Sequence, residues 1–145
     1  MSLRVASIAL LVADYDEALA WFTTKLGFIL VEDTPLGPDK RWLLIAAPAD
    51  KGPGEGNPGC HLLLARAADA EQKAQIGRAA GGRVAFFLQT DDFARDHAAF
   101  LARGVKFLEA PRQETYGRVA VFADLYGNRW DLIQPSPLLS AGRTI

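Results

Sequence analysis

Apolar positions follow two periods along this chain, and the change from one to the other marks the elements. Val5 to Val12 is nearly continuous in apolar residues, as a buried strand is. Asp14 then stands at a helix N-cap position, with Asp16 and Glu17 in the first turn, where the helix dipole favours negative charge. Ala18, Leu19, Phe22 and Leu26 return at helical spacing until Gly27, which ends the helix. Three strands are expected next, at Phe28–Glu32, Arg41–Ala46 and Cys60–Ala65, with a turn at Pro35, Gly37 and Pro38. The Gly/Pro-rich stretch 48–59 reads as a surface loop, and Ala67–Ala79 as a polar connector helix stopped by Gly81-Gly82.

The same order is then written again. Asp14 to Gly27 spans 13 residues, and so does Asp91 to Gly104. At an offset of 77, Leu11 falls on Leu88, Phe28 on Val105, Arg41 on Arg118 and Leu44 on Val121. The last strands align at an offset of 70, which puts Cys60 on Trp130, His61 on Asp131 and Leu62 on Leu132. Two polar residues placed in apolar strands thereby become repeat equivalents.

The second of these sits in Gly117–Gln134, GRVAVFADLYGNRWDLIQ, which reads as a hairpin with Gly127-Asn128 supplying positive-φ positions. Alternation puts Asp131 and Ile133 on one face and Trp130 and Leu132 on the other. An unpaired buried carboxylate costs several kcal/mol, roughly, so Asp131 is expected to face a wet cavity or a partner.

Composition narrows the function classes. The 145 residues suffice for one domain, and 16 Lys+Arg against 17 Asp+Glu give no electrostatic argument for nucleic acid or an anionic membrane. No apolar run approaches the roughly 20 residues of a membrane helix. The start has no secretory signal pattern, which predicts a cytoplasmic protein, and the single Cys60 excludes an internal disulfide. Cys60 is expected to point to the helix side as a small buried hydrophobe, and His97 to face solvent from the second helix.

Together, the double β-α-β-β-β order, Asp14 with Leu26-Gly27-Phe28, and the Phe122-x-Asp124-x-x-Gly127-Asn128 ending resemble the vicinal oxygen chelate superfamily. That superfamily includes glyoxalase I, bleomycin resistance proteins and extradiol dioxygenases. The resemblance covers about Val5 to Gln134 and implies an α+β fold: two βαβββ modules, at about 5–66 and 83–135, joined by a connector at 67–82 and forming a curled mixed sheet with a cavity. TDDF at Thr90–Phe93, PRQETYG at Pro111–Gly117 and NRWDLIQ at Asn128–Gln134 resemble a branch of small glyoxalase-like proteins.

By that resemblance, metal-dependent members take ligands from the first and last strands of each module, which here fall on Ser7, Val84, His61 and Asp131. His61 and Asp131 are then candidate ligands for Zn, Ni, Mn or Fe, while Val84 cannot bind a metal and Ser7 rarely does. Two ligands fall short of the usual set. Glu114 is the first candidate for a further ligand, with Gln89 and Glu109 also near in the repeat. Without a metal, His61, Asp131 and Glu114 are candidates for acid–base lyase or isomerase chemistry. Ser7, Arg112 and Tyr116 are candidates for substrate binding. The implied partners are a small organic molecule and a second copy of the chain; in an exchanged homodimer His61 of one chain would meet Asp131 of the other. A metal-dependent lyase or dioxygenase and a non-catalytic drug- or metabolite-sequestering protein stand as alternatives. Arg41 and Arg118, repeat equivalents, are read as structural charges at the sheet edge.

Overall fold

The apolar run after Ala6 becomes strand β1 (Ser7–Val12), and Asp14 caps the helix that follows, its Oδ1 accepting the Glu17 amide at 2.8 Å. The computed structural model describes residues 2–50 and 59–137. The chain forms two compact units, one reaching to Ile76 and the other starting at Gly77. Most of the Gly/Pro-rich loop expected before the fourth strand lies outside the described residues.

In the first unit, β1, helix α1 (Tyr15–Lys25), β2 (Ile29–Gly37), β3 (Lys40–Ala46) and β4 (His61–Arg66) give a four-stranded sheet of order β1-β4-β3-β2. β1 and β4 run parallel and the other pairs antiparallel. Leu10, Val12, Leu43, Ile45, Leu62 and Leu64 alternate onto the buried face with Ala18 and Phe22 of α1. The Phe22 ring lies 5.6 Å from Phe28, just past the helix. Truncating Phe22, fully buried, would cost about 3–5 kcal/mol. Pro35 and Gly37 lie within β2 instead of in a turn, because the β2–β3 ladder continues through Pro35–Arg41 and Gly37–Lys40.

The expected connector helix is short: α2 (Ala70–Gln75) is capped by Asp69, and a 3₁₀ turn covers Ala79–Gly82. The second unit then repeats the plan with β5 (Val84–Gln89), α3 (Phe93–Ala102), β6 (Lys106–Phe107), β7 (Arg112–Glu114), β8 (Gly117–Ala123) and β9 (Arg129–Pro135). Its sheet runs β5-β9-β8-β6, with β7 also on β8, so two short strands take the place of β2. Glu109 fills the gap between them, its Oε2 accepting the Val121 amide at 3.0 Å where a strand carbonyl would otherwise stand. Phe93, Phe100, Phe122, Trp130 and Leu132 form the core, with Phe100 edge-on to Phe122 at 5.6 Å. The architecture is α+β with βαβββ written twice. Among the described residues no helix is long and apolar enough to cross a membrane.

Several local expectations are corrected. Asp92, not Asp91, caps α3, accepting from the Arg95 amide at 3.1 Å; α3 is one residue shorter than α1, so the caps lie 78 apart while the closing glycines stay at 77, and the register shift between Val84 and Phe86 carries the rest of β5 from 77 to 78. Cys60 is exposed because β4 starts one residue later and leaves it outside the ladder. His97 is half-buried between the rings of Phe93, at 5.2 Å, and Phe107, at 4.5 Å. Burial, and secondarily the Arg118 charge, push its pKa below the ordinary histidine value. The expectation of structural charges at the sheet edge holds for the pairing of Arg41, which meets Asp16 and Asp33, but not for Arg118, which lies 4.9 Å over the Phe93 ring; both strands, β3 and β8, are interior to their sheets.

Candidate functional site

The hairpin β8–β9 is held by one carboxylate. Asp124 accepts the amides of Tyr126 and Asn128, the Asn128 side-chain amide and the Trp130 indole N–H, the closest four contacts all at 3.0 Å. Gly127 takes φ +92°; Asn128 does not share that conformation, and its side-chain oxygen instead accepts the Ala79 amide at 3.0 Å. This staple sets the register that puts Val121 opposite Asp131 and Phe122 opposite Trp130.

Trp130 and Leu132 face the core, so Asp131 points to the other, open face. Its register partners are Val121 on β8 and Phe87 on β5, and Phe87 is 67% exposed. Asp131 itself is only 8% exposed, and its Oδ1 has no hydrogen-bond partner among the described residues. Burial raises its pKa above the ordinary carboxylate value; Arg112 pulls it down and Glu109 pushes it up.

The same face continues onto β7, where Arg112 pairs with Val119 and Glu114 with Gly117. Gly117 takes φ +151°, and a Cβ there would stand 2.3 Å from the Gln134 carbonyl oxygen, so glycine is required where β8 begins. The Arg112 Nε donates to Glu109 at 3.0 Å, and Nη1 donates to Glu114. The Tyr116 hydroxyl, Glu109 and Glu114 together hold the guanidinium firmly charged. Arg112 is thus already occupied by two carboxylates.

The sequence candidates therefore divide into two groups. Asp131, Glu114, Arg112 and Tyr116 gather on the second sheet; Ser7 and His61 are register partners on the first. The His61 Nε2 lies 2.9 Å from the Asp50 carbonyl oxygen, which only accepts, so this nitrogen carries a proton and is unavailable to a metal. The repeat equivalence of His61 and Asp131 is also corrected. Leu44 pairs with Leu63 in the first sheet and its equivalent Val121 with Asp131 in the second. Ala9 pairs with Leu63 and Phe87 with Asp131. The last strands thus align at 68, so Leu63 matches Asp131 and His61 matches Arg129; the offset of 70 kept the correct face but slipped by two residues.

A divalent metal does not fit this donor set. Among the described residues no three His, Cys, Asp or Glu side chains cluster as a metal would require. Glu114 is tied to Arg112, and the register neighbours of Asp131 are a valine and a phenylalanine. One contributor, Phe87, escaped the sequence reading, and Glu109, expected only as a further ligand, acts instead through Arg112 and the Val121 amide. Phe87 was signalled by Phe86-Phe87, two successive aromatics of which alternation must turn one outward. The link of Glu109 to Val121 had no signal in spacing.

The profile of the Glyoxalase/Bleomycin resistance protein/Dioxygenase superfamily matches residues 4–132. An uncharacterised protein of Shewanella frigidimarina (strain NCIMB 400) is 49% identical, over 92% of this chain and 95% of its own. Among solved structures, TnmS3, an antibiotic binding protein from Streptomyces sp. CB03234, is similar with TM-score 0.70 and 29% identity, over 93% of this chain and 98% of its own. A superfamily member from Sphaerobacter thermophilus DSM 20745 gives TM-score 0.73 and 25% identity, over 92% and 98%. With the family profile spanning nearly all of both βαβββ units, the chain belongs to the glyoxalase/bleomycin resistance protein/dioxygenase superfamily.

Proposed function

We propose that this chain binds a small organic molecule on the open face of its second sheet and holds it without transforming it. The observation that carries the reading is the Asp131 Oδ1, buried and without a hydrogen-bond partner. A fold does not retain such an atom for stability, since an unsatisfied buried acceptor costs about 1–3 kcal/mol. A ligand N–H or O–H supplies the missing bond. The unpartnered Asp131 oxygen favours a donor-bearing ligand, and the exposed Phe87 ring beside Asp131 offers a face for a ring or a cation. The similarity to an antibiotic binding protein supports the same class of ligand.

The test is a thermal-shift screen of amine- and hydroxyl-bearing aromatic antibiotics and metabolites, followed by calorimetry on wild type and Asp131→Asn and mass analysis of the recovered ligand. Saturable binding, weakened about tenfold or more in Asp131→Asn, with the ligand recovered unchanged, is expected. Equal affinity in the variant would overturn the role of Asp131.

A second reading is favoured by the raised pKa of Asp131, which suits a carboxyl group to exchange protons with a bound substrate. It requires chemical conversion of the ligand, lost in Asp131→Asn, with a rate that follows the titration of one acid. A recovered ligand of altered structure decides for it.

A further inference from the structure

The two sheets differ at one equivalent pair of strands. β8 and β9 pair continuously from Gly117–Pro135 to Ala123–Arg129, whereas β3 and β4 pair only through Leu44–Leu63 and Ile45–Leu62. Beyond those two pairs the strands separate and leave an open cleft of about 790 Å³ within the first unit. Ligand sites commonly measure roughly 300–1,000 Å³. Tyr15, in the first turn of α1, lines the opening: it is 8% exposed, and its hydroxyl accepts the Arg41 amide at 3.2 Å, standing in for a β4 carbonyl. The Arg41 guanidinium lies 5.1 Å over the Tyr15 ring and is held by Asp16 and Asp33, each at 2.8 Å.

With Arg41 neutralised, the cleft keeps three other basic side chains, Lys40, Arg66 and Lys73. None of the three has an ion pair among the described residues, and the one acid in the lining is Asp39. Trp42, 36% exposed, lies in the same wall. Basic groups around an accessible indole suit a flat anion, whereas the unpartnered Asp131 oxygen on the second sheet calls for a donor. We propose that this cleft is a second binding site, taking an aromatic molecule with a carboxylate or phosphate group: the ring against Trp42, the anion among Lys40, Arg66 and Lys73. Lys40, Arg66 and Lys73 are exposed and line the cleft from β3, β4 and α2, so its positive charge comes from three separate elements.

The full chain is titrated with 2-naphthoate and followed by nuclear magnetic resonance of the tryptophan indole and backbone amide signals. Inorganic phosphate and 2-naphthalenemethanol serve as the anion-only and ring-only arms. Saturable shifts at the Trp42 indole and at Gln72 and Lys73 are expected, with the Trp130 indole unmoved. The triple variant Lys40→Glu, Arg66→Glu, Lys73→Glu should weaken binding by about tenfold or more, and added salt should weaken it in the wild type. Trp42→Leu keeps the charges and should weaken naphthoate but not phosphate. Asp131→Asn should leave naphthoate affinity unchanged, which separates this site from the one on the second sheet. Shifts centred on Phe87 and Asp131, naphthoate affinity indifferent to charge reversal, or no saturable binding would each overturn the proposal.

Discussion

Asp124 and Asp131 lie seven positions apart on one hairpin, carry the same carboxylate and are equally hidden, at 6% and 8% exposure. Asp124 is surrounded by donors from the turn and from Trp130, while Asp131 has an oxygen with none. Burial alone therefore does not separate a structural carboxylate from a functional one; the inventory of donors does. Asp124 gains its partners locally, from residues two to six positions later, because the Gly127 turn folds them back onto it. Asp131 lies in mid-strand, where the neighbouring amides are committed to the ladder and the facing side chains are Phe87 and Val121.

The comparison is broken most severely at Asp124. Asp124→Ala would leave the Tyr126 and Asn128 amides and the buried Trp130 indole without their acceptor, and should destabilise the chain by about 3–5 kcal/mol. Urea denaturation measures it. A loss below about 1 kcal/mol would mean that water replaces the carboxylate and that the contrast with Asp131 is smaller than the geometry implies.

The converse holds at Asp131. Asp131→Asn removes a carboxylate that the fold does not satisfy, so the variant should be as stable as wild type or more stable by about 1 kcal/mol near neutral pH, while losing ligand. The sign follows from the raised folded-state pKa, which means that the folded chain prefers the protonated form. The wild type is therefore unpenalised below the unfolded aspartate value of about 4 and loses stability relative to Asp131→Asn as pH rises through the folded value. Denaturation of both proteins at pH 4 and pH 7 gives the difference, and a gap that closes toward neutral pH contradicts the assignment.

What was legible in the sequence follows the same division between local and distant causes. The βαβββ order could be read because caps, periodicity and Gly stops are local signals; Asp14, Phe22 and Gly27 each carry their meaning within a few residues. The face of Asp131 was legible because alternation has a period of two. Its exact equivalent in the first unit was not, because offsets of 68 and 70 preserve the same alternation and the strand pairings with Val121 and Phe87 are what distinguish them. The repeat spacing pointed to Asp91 as the second cap, and Asp92 takes that place because α3 is one residue shorter than its counterpart. The tie of His61 to the Asp50 carbonyl spans eleven positions across the Gly/Pro-rich loop, and no pattern in the sequence announces it.

His97 supplies the weakest but sharpest control, because its pH dependence runs opposite to that of Asp131. It lies between Phe93 and Phe107 with Arg118 nearby, and burial ahead of that charge lowers its pKa. The folded chain thus prefers neutral imidazole, and the associated stability is complete above the unfolded histidine value of about 6.5 and declines as pH falls toward the folded value. His97→Phe keeps a ring for the stack and should remove that decline while leaving the neutral-pH stability within about 1 kcal/mol. Wild type and the two single variants, denatured at intervals from pH 4 to 8, should then show two separable slopes, one lost in His97→Phe and the other in Asp131→Asn. If Asp131→Asn removed the slope around pH 6 as well, the two groups would be titrating as one system, and Asp131 would not be the isolated acceptor that its unpartnered oxygen describes.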